Sequence, residues 1–159
     1  TNGTVDNMRL TGSGRLDIGM TQPPADHDAV MGQDLFEGES YDNLRWMCGG
    51  HYSIGQIAVP ADSDIQTIAD LKGKRVAIGV VGSGVRHVVG KGLLELGGIT
   101  LDDIEIVSVN QDQGTEALQD GTADAAVYSG GIMVSGLLNL SQSMDVRILS
   151  IPDGSIEEM

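Results

Sequence analysis

From residue 61 onward, short apolar runs alternate with stretches in which apolar residues recur every three or four positions. Val76 to Val80 is a β-branched run that predicts a buried strand. From Val85 through Val88, Val89, Leu93, Leu94 and Leu96 the spacing is helical, and Gly97-Gly98 is the predicted stop. Between them, Gly82-Ser83-Gly84 forces a tight turn. Upstream, Ser63 or Asp64 is the predicted cap of a short helix through Ile65, Ile68 and Leu71. Downstream follow a strand over 104–109, a helix over 114–119 and a strand over 125–128. Ser129-Gly130-Gly131 then repeats the glycine turn, ahead of a helix through Met133, Leu137, Leu138 and Leu140. A strand over 146–151 comes next, and a last helix starts at Ser155. Four strand–helix repeats in series predict an α/β fold with a mostly parallel, doubly wound sheet.

The first sixty residues are less regular. Thr4 is the predicted N-cap of a helix whose apolar face starts at Met8 and Leu10 and which ends at Gly12 and Gly14. Leu16 to Met20 and Leu44 to Cys48 read as short strands, and residues 25–43 as irregular chain with one short helix near Ala29. Gln56 to Val59 is a further strand, stopped by Pro60.

Composition narrows the function. Of 159 residues, 40% are apolar and only 3% aromatic, and 23 are glycine, so the core is packed by small aliphatic side chains. With 23 acidic residues against 9 basic ones the net charge is −14, which repels nucleic acid. The acidic residues are dispersed and lysine is confined to positions 72, 74 and 91, a pattern consistent with adaptation to high salt. No apolar run reaches the roughly 18 residues of a membrane span, so any membrane association is peripheral at most. Cys48 is the sole cysteine, which excludes an internal disulfide and a paired-cysteine metal site. His27, His51 and His87 are isolated in sequence, with no partner at metal-ligand spacing, so no metal is expected. No cofactor motif is present; the turn at 82–84 lacks the Gly-Lys-Ser/Thr ending of a nucleotide phosphate loop.

A strand, a glycine turn and a helix start present free backbone N–H groups at the positive end of a helix dipole, a site for a carboxylate or phosphate. The same segment also serves as a plain strand-to-helix connection. Two such turns, at 82–84 and 129–131, both fall at the carboxyl edge of the sheet, where ligands of such folds sit.

Several segments in order resemble the TAXI class of solute-binding subunits of tripartite ATP-independent (TRAP) transporters. They are Gly3-Thr4-Val5-Asp6-Asn7, Ser13 to Gly19, Ala61 to Ile65, Asp70 to Gly79 with Gly82-Ser83-Gly84, and Leu118 to Ala125. Two places depart from the family pattern: Val85-Arg86, where Thr-Glu is usual, and His51 to Ile54, where Leu-Tyr-Pro-Glu is usual. The resemblance implies a periplasmic-binding-protein-like fold of two lobes that close on a solute. Residues 1–59 would be an incomplete lobe one with the first hinge strand, and 60–159 most of lobe two, the return to lobe one being missing.

On that footing, Ser83 with the amides of Gly84 and Val85 forms the expected anion site, and Ser129 and Gly130 stand opposite or beside it. Thr4, Val5, Asn7 and Gln22 would close over the other end of the solute. Asn7 and Gln22 are equally at home as capping and turn residues. Tyr52 either contributes at the hinge or is an ordinary turn tyrosine, and Arg86 either reaches an acidic ligand group or is solvated. Cys48 reads as a buried structural thiol rather than a nucleophile.

The resemblance implies a non-enzymatic extracytoplasmic protein that captures a small organic anion or amino acid, glutamate-like, and hands it to TRAP membrane subunits. A signal segment is not within this chain and would lie upstream. The alternatives are a ligand-binding sensor domain and an enzyme on the same fold.

Overall fold

The computed structural model describes residues 3–132 and 134–152. Strands β1 (Ile54–Pro60), β2 (Arg75–Ala77), β3 (Glu105–Val107), β4 (Ala125–Gly130) and β5 (Val146–Ile148) form one sheet in the order β3-β2-β4-β1-β5. β2 is parallel to β3 and β4, whereas β1 is antiparallel to β4 and β5. The four strands after residue 61 therefore run in one direction, and β1 is the reversed strand inserted among them.

Helices α1 (Thr4–Gly12) and α2 (Ala25–Met31) precede the sheet. A π-helical turn, Val85–Gly90, runs directly into α3 (Lys91–Leu96), and α4 (Gln111–Gln119) and α5 (Ser135–Ser143) complete the set. Alternation along the strands sorts the core into two faces. Ile57, Val59, Val76, Ile78, Ala125 and Val127 pack towards Leu93 and Leu94 of α3. Ala58, Ala77, Ala126 and Tyr128 pack the other way, towards Leu118 of α4 and Leu137 and Leu140 of α5. Helices on both faces make the sheet doubly wound, as the repeats predict. Full burial of side chains such as Leu94 and Leu140 contributes about 1.5–3 kcal/mol each. A third, smaller core joins Val5, Met8, Ala29 and Phe36 beneath α1 and α2.

The first sixty residues differ from the expected pattern. Leu16 to Met20 and Leu44 to Cys48 are not strands. Apolar β-formers make a ladder only where a neighbouring strand supplies partners, and the described residues supply none there. Ile18 is 67% exposed and Met47 75%, and Cys48 is exposed rather than buried. The segment after α1 is held instead by Asn7 Nδ2, which donates to the Met20 carbonyl at 2.7 Å.

Two caps also move. Gly3, not Thr4, is the N-cap of α1, and no side chain caps it. Ahead of β2 the helical turn is a 3₁₀ segment, Ile68–Leu71, started by a Thr67–Asp70 capping box rather than by Ser63 or Asp64. A second box, Asn110 with Gln113, starts α4 at Gln111, three residues before the predicted Gly114. The strands at 76–80, 104–109 and 146–151 are shorter than predicted, although the Ile78 amide still donates to Val107 and that of Leu149 to Ile57. Met133 and the helix predicted from Ser155 lie outside the described residues.

Candidate ligand-binding site

The parallel pairing of β2 with β4 carries the chain after both strands to one edge of the sheet. Because β1 runs the other way, Ile54 stands opposite Gly130, and Ser53 Oγ meets Ser129 Oγ at 2.7 Å. Gln111, in the first turn of α4, clasps the backbone of Ser129: its Oε1 accepts from the Ser129 amide at 2.9 Å and its Nε2 donates to the carbonyl at 3.3 Å. Hydroxyl, amide and carbonyl of Ser129 are thus all engaged within the fold.

The turn after β2 meets the start of α1. The Val5 amide donates to the Gly82 carbonyl at 3.2 Å. A Cβ on Gly3 would lie 3.0 Å from Ser83 Cα, and one on Gly84 would strike Gln22 Nε2 and come within 2.7 Å of Thr4 Oγ1. At Gly3 only glycine allows the two backbones so close, and at Gly84 the missing Cβ leaves room for the side chains of Gln22 and Thr4. Ser83 acts as the cap of the π-helical turn: its Oγ accepts from the Arg86 amide at 3.3 Å, and its carbonyl from the amides of Arg86 and His87.

Of the ten expected site residues, Thr4, Val5, Gln22, Ser83 and Gly84 therefore form one cluster. Ser129 and Gly130 form a second one with Ser53. Val85 turns its side chain towards the core beside α3, Asn7 is occupied with the Met20 carbonyl, and Tyr52 is 94% exposed.

A cavity of about 330 Å³ opens from the first cluster. Thr4, Val5, Ser83 and Gly84 line it, and it continues along α2 and the π-helical turn past Asp28, Asp34, His87, Lys91 and Glu95. The Nε2 of Gln22, Nε of Arg86 and Nε2 of His87 are buried without a partner, and buried polar atoms of this kind are ordinarily satisfied by water or ligand. Burial, reinforced by the Arg86 charge, pushes the His87 pKa below its ordinary 6.5, so this imidazole is mostly neutral at pH 7. The charged lining was not among the sequence candidates. Its signal was the spacing 87, 91 and 95, which puts His87, Lys91 and Glu95 on one face of the helical segment.

The model of the NMT1-like family matches residues 1–159. Among solved structures, the chain is similar to the periplasmic sulfonate-binding protein SsuA from Methylobacillus flagellatus KT. The identity is 28% over 60% of this chain and 27% of that one, with a TM-score of 0.51. SsuA from Escherichia coli matches at 28% identity over 60% of this chain and 31% of that one, TM-score 0.50. The alkanesulfonate-binding SsuA from Xanthomonas axonopodis pv. citri, solved with MOPS, matches at 28% identity over 63% and 32%, TM-score 0.50. The chain spans less than a third of the length of these structures. Its α/β architecture is that of the periplasmic binding proteins. Matched over residues 1–159, the chain belongs to the NMT1-like family.

Proposed function

We propose that this chain is the ligand-closing part of an extracytoplasmic, non-enzymatic solute-binding protein that captures a small carboxylate. The observation that carries this reading is the cluster of Thr4, Val5, Gln22, Ser83 and Gly84, in which a helix start and a glycine turn face each other beside a cavity. Backbone amides at a helix start hold a carboxylate without a buried cation. With residues 1–59 assigned to lobe one and 60–159 to lobe two, the Val5–Gly82 hydrogen bond and the Lys91–Asp34 ion pair cross between lobes. A solute touching both sides then favours the closed state, which membrane subunits recognise.

The delivery partner has two readings, each with its own support. The ordered motifs from Gly3 to Ala125 favour a TRAP transporter. The likeness to SsuA, described as part of a sulfonate ABC transporter, favours an ABC-type partner and a sulfonate in place of the carboxylate. Calorimetric titration with matched carboxylates and sulfonates separates the solutes, and the membrane subunits encoded beside the gene separate the partners. Ser83→Ala is expected to weaken carboxylate binding by about 1–3 kcal/mol, and to destabilise the ligand-free chain only by the lost cap on the Arg86 amide, about 0.5–2 kcal/mol. An unchanged affinity removes Ser83 from the site. A solute recovered chemically altered after incubation overturns the non-enzymatic reading.

A further inference from the structure

The N-terminal helices carry a core of their own, Val5, Met8, Ala29 and Phe36, apart from the two sheet cores. They meet the sheet layer along residues 82–95. The Val5 amide reaches the Gly82 carbonyl, Gly3 presses on Ser83, and Lys91 Nζ lies 3.7 Å from Asp34. Among the described residues other than glycine, Asp34 alone has a positive φ, 49°, a left-handed backbone that a short polar side chain tolerates. Both members of the Lys91–Asp34 pair are about half-exposed, so solvent screens it and it holds the contact only weakly.

His87 differs from that pair. Its ring lines the same cavity as Thr4, Val5, Asp28 and Asp34, and its Nε2 is buried without a partner. In the neutral ring that nitrogen lacks one hydrogen bond; in the imidazolium it is a buried charged donor, which costs far more. Arg86 and Lys91, on its own helical segment, oppose a proton, whereas Asp34, from the far side of the contact, favours one. Asp28 of α2 and Glu95 of α3 complete the charged lining. From α1 come Thr4 and Val5, which do not titrate. Of β1 and β4, which pack against the π-helical turn, only Tyr128 titrates, and it lies in the core on the opposite face of the sheet. Burial outweighs the attraction of Asp34, so the ring is neutral while the contact is closed.

We infer that the seating of the N-terminal helices on residues 82–95 is a pH-dependent contact, with His87 as its titrating group, that loosens as the surroundings turn acidic. Opening the contact returns the ring to water and to its ordinary 6.5. The closed state therefore binds fewer protons than the open one. Closing is favoured in full above pH 6.5 and loses ground as pH falls through the lower, closed-state value. The contact holds whatever the solute is. Its consequence, release of a held solute in an acidic surrounding, rests on the reading of the protein as a solute carrier.

Two measurements on the full chain, with no solute added, test the inference between about pH 7.5 and about pH 5. Nuclear magnetic resonance titration of the His87 ring gives its closed-state value, expected below 6.5. Amide exchange at Val5, divided by the intrinsic rate at each pH, gives the opening constant of the contact. That constant should rise on acidification by about tenfold for every unit by which the measured value lies below the open one. His87→Gln keeps a neutral polar group and should flatten the rise, while His27 and His51 remain in the variant. His87→Leu serves if that variant fails to fold by far-ultraviolet circular dichroism. Acceleration at Ala126 with none at Val5 means that the ring is buried by its own helix and the sheet, and overturns the inference. Exchange at Val5 no faster than at Ala126, a ring that titrates at or above 6.5, or a rise that persists in the variant overturns it equally. None of these outcomes bears on Ser83→Ala, whose failure concerns the solute site alone.

Discussion

The amide of Val5 donates to the carbonyl of Gly82 across 3.2 Å, joining the first turn of α1 to the turn that follows β2. These residues are 77 positions apart, and beside the bond Gly84 lacks a Cβ where the side chains of Gln22 and Thr4 press against it. Gly84→Ala inserts a methyl group into that space. Overpacking of this kind costs about 1–3 kcal/mol. Urea unfolding should show the loss, and amide exchange at Val5 should speed up by more than at Ala126, deep in the sheet.

Asp124 fastens the start of β2 to that of β4. It accepts from the Arg75 amide at 2.8 Å, from Nε at 3.1 Å and from Nη2 at 2.6 Å. The guanidinium holds the Asp124 carboxyl below its ordinary 3.8. The Lys72 ammonium, 2.8 Å away, with the amide and hydroxyl of Thr100 donating to it, holds that of Asp103 at about 2. A carboxyl with a lower pKa folded than unfolded binds fewer protons in the folded state, so stability rises with pH. The contribution is complete above the unfolded value and disappears as pH falls through the folded one. Stability should therefore drop on acidification from about pH 4 towards about pH 2, the window between these values. Asp124→Asn should melt below the parent at pH 7 and lose that deficit progressively as the pH falls below about 4. A deficit independent of pH assigns the loss to packing.

Tyr128 is fully buried, and its hydroxyl meets Thr115 Oγ1 at 2.9 Å. Thr115 Oγ1 in turn donates to the Gln111 carbonyl, so the tyrosine is the donor of the pair. Burial raises the Tyr128 pKa, and the Thr115 contact pulls the other way. The two partners are therefore unequal. Tyr128→Phe removes a donor while Thr115 keeps its own bond, at a cost of about 0.5–1.5 kcal/mol. Thr115→Val strands the buried hydroxyl and should cost about 1–3 kcal/mol. Denaturant melts of the two variants should rank in that order.

The sheet strands were legible because each carries its own signal: Val76 to Ile78 and Ala125 to Tyr128 alternate between the two cores, and glycine turns mark their ends. Leu16 to Met20 carries a strand-like composition too, but a strand is a property of a pair, and the partner is not written in the segment itself. The capping boxes Thr67–Asp70 and Asn110–Gln113 are written as polar residues three apart, whereas the sequence pattern points to Ser63 or Asp64 for the first helix and to no cap for the second. For the site, motif order put Thr4 and Val5 with Ser83 and Gly84, and the structure joins them. The Gln111 clasp on Ser129 follows from where α4 docks on the sheet, which no local pattern around residue 129 encodes.

A net charge of −14 on 159 residues makes self-repulsion a global term in stability. Salt screens it: the Debye length contracts from about 30 Å at 0.01 M to about 3 Å at 1 M. Salt also weakens exposed ion pairs such as Lys74–Asp64, 3.4 Å apart, but exposed pairs contribute little. The repulsive term involves many unpaired acids, so it dominates. The melting temperature should therefore rise with potassium chloride, by roughly 2–4 °C for each kcal/mol relieved in a domain of this size. Replacing chloride by another monovalent anion should leave the rise in place, because screening depends on ionic strength. A melting temperature that stays flat or falls from low to molar salt removes adaptation to high salt as the reason for the acidic surface.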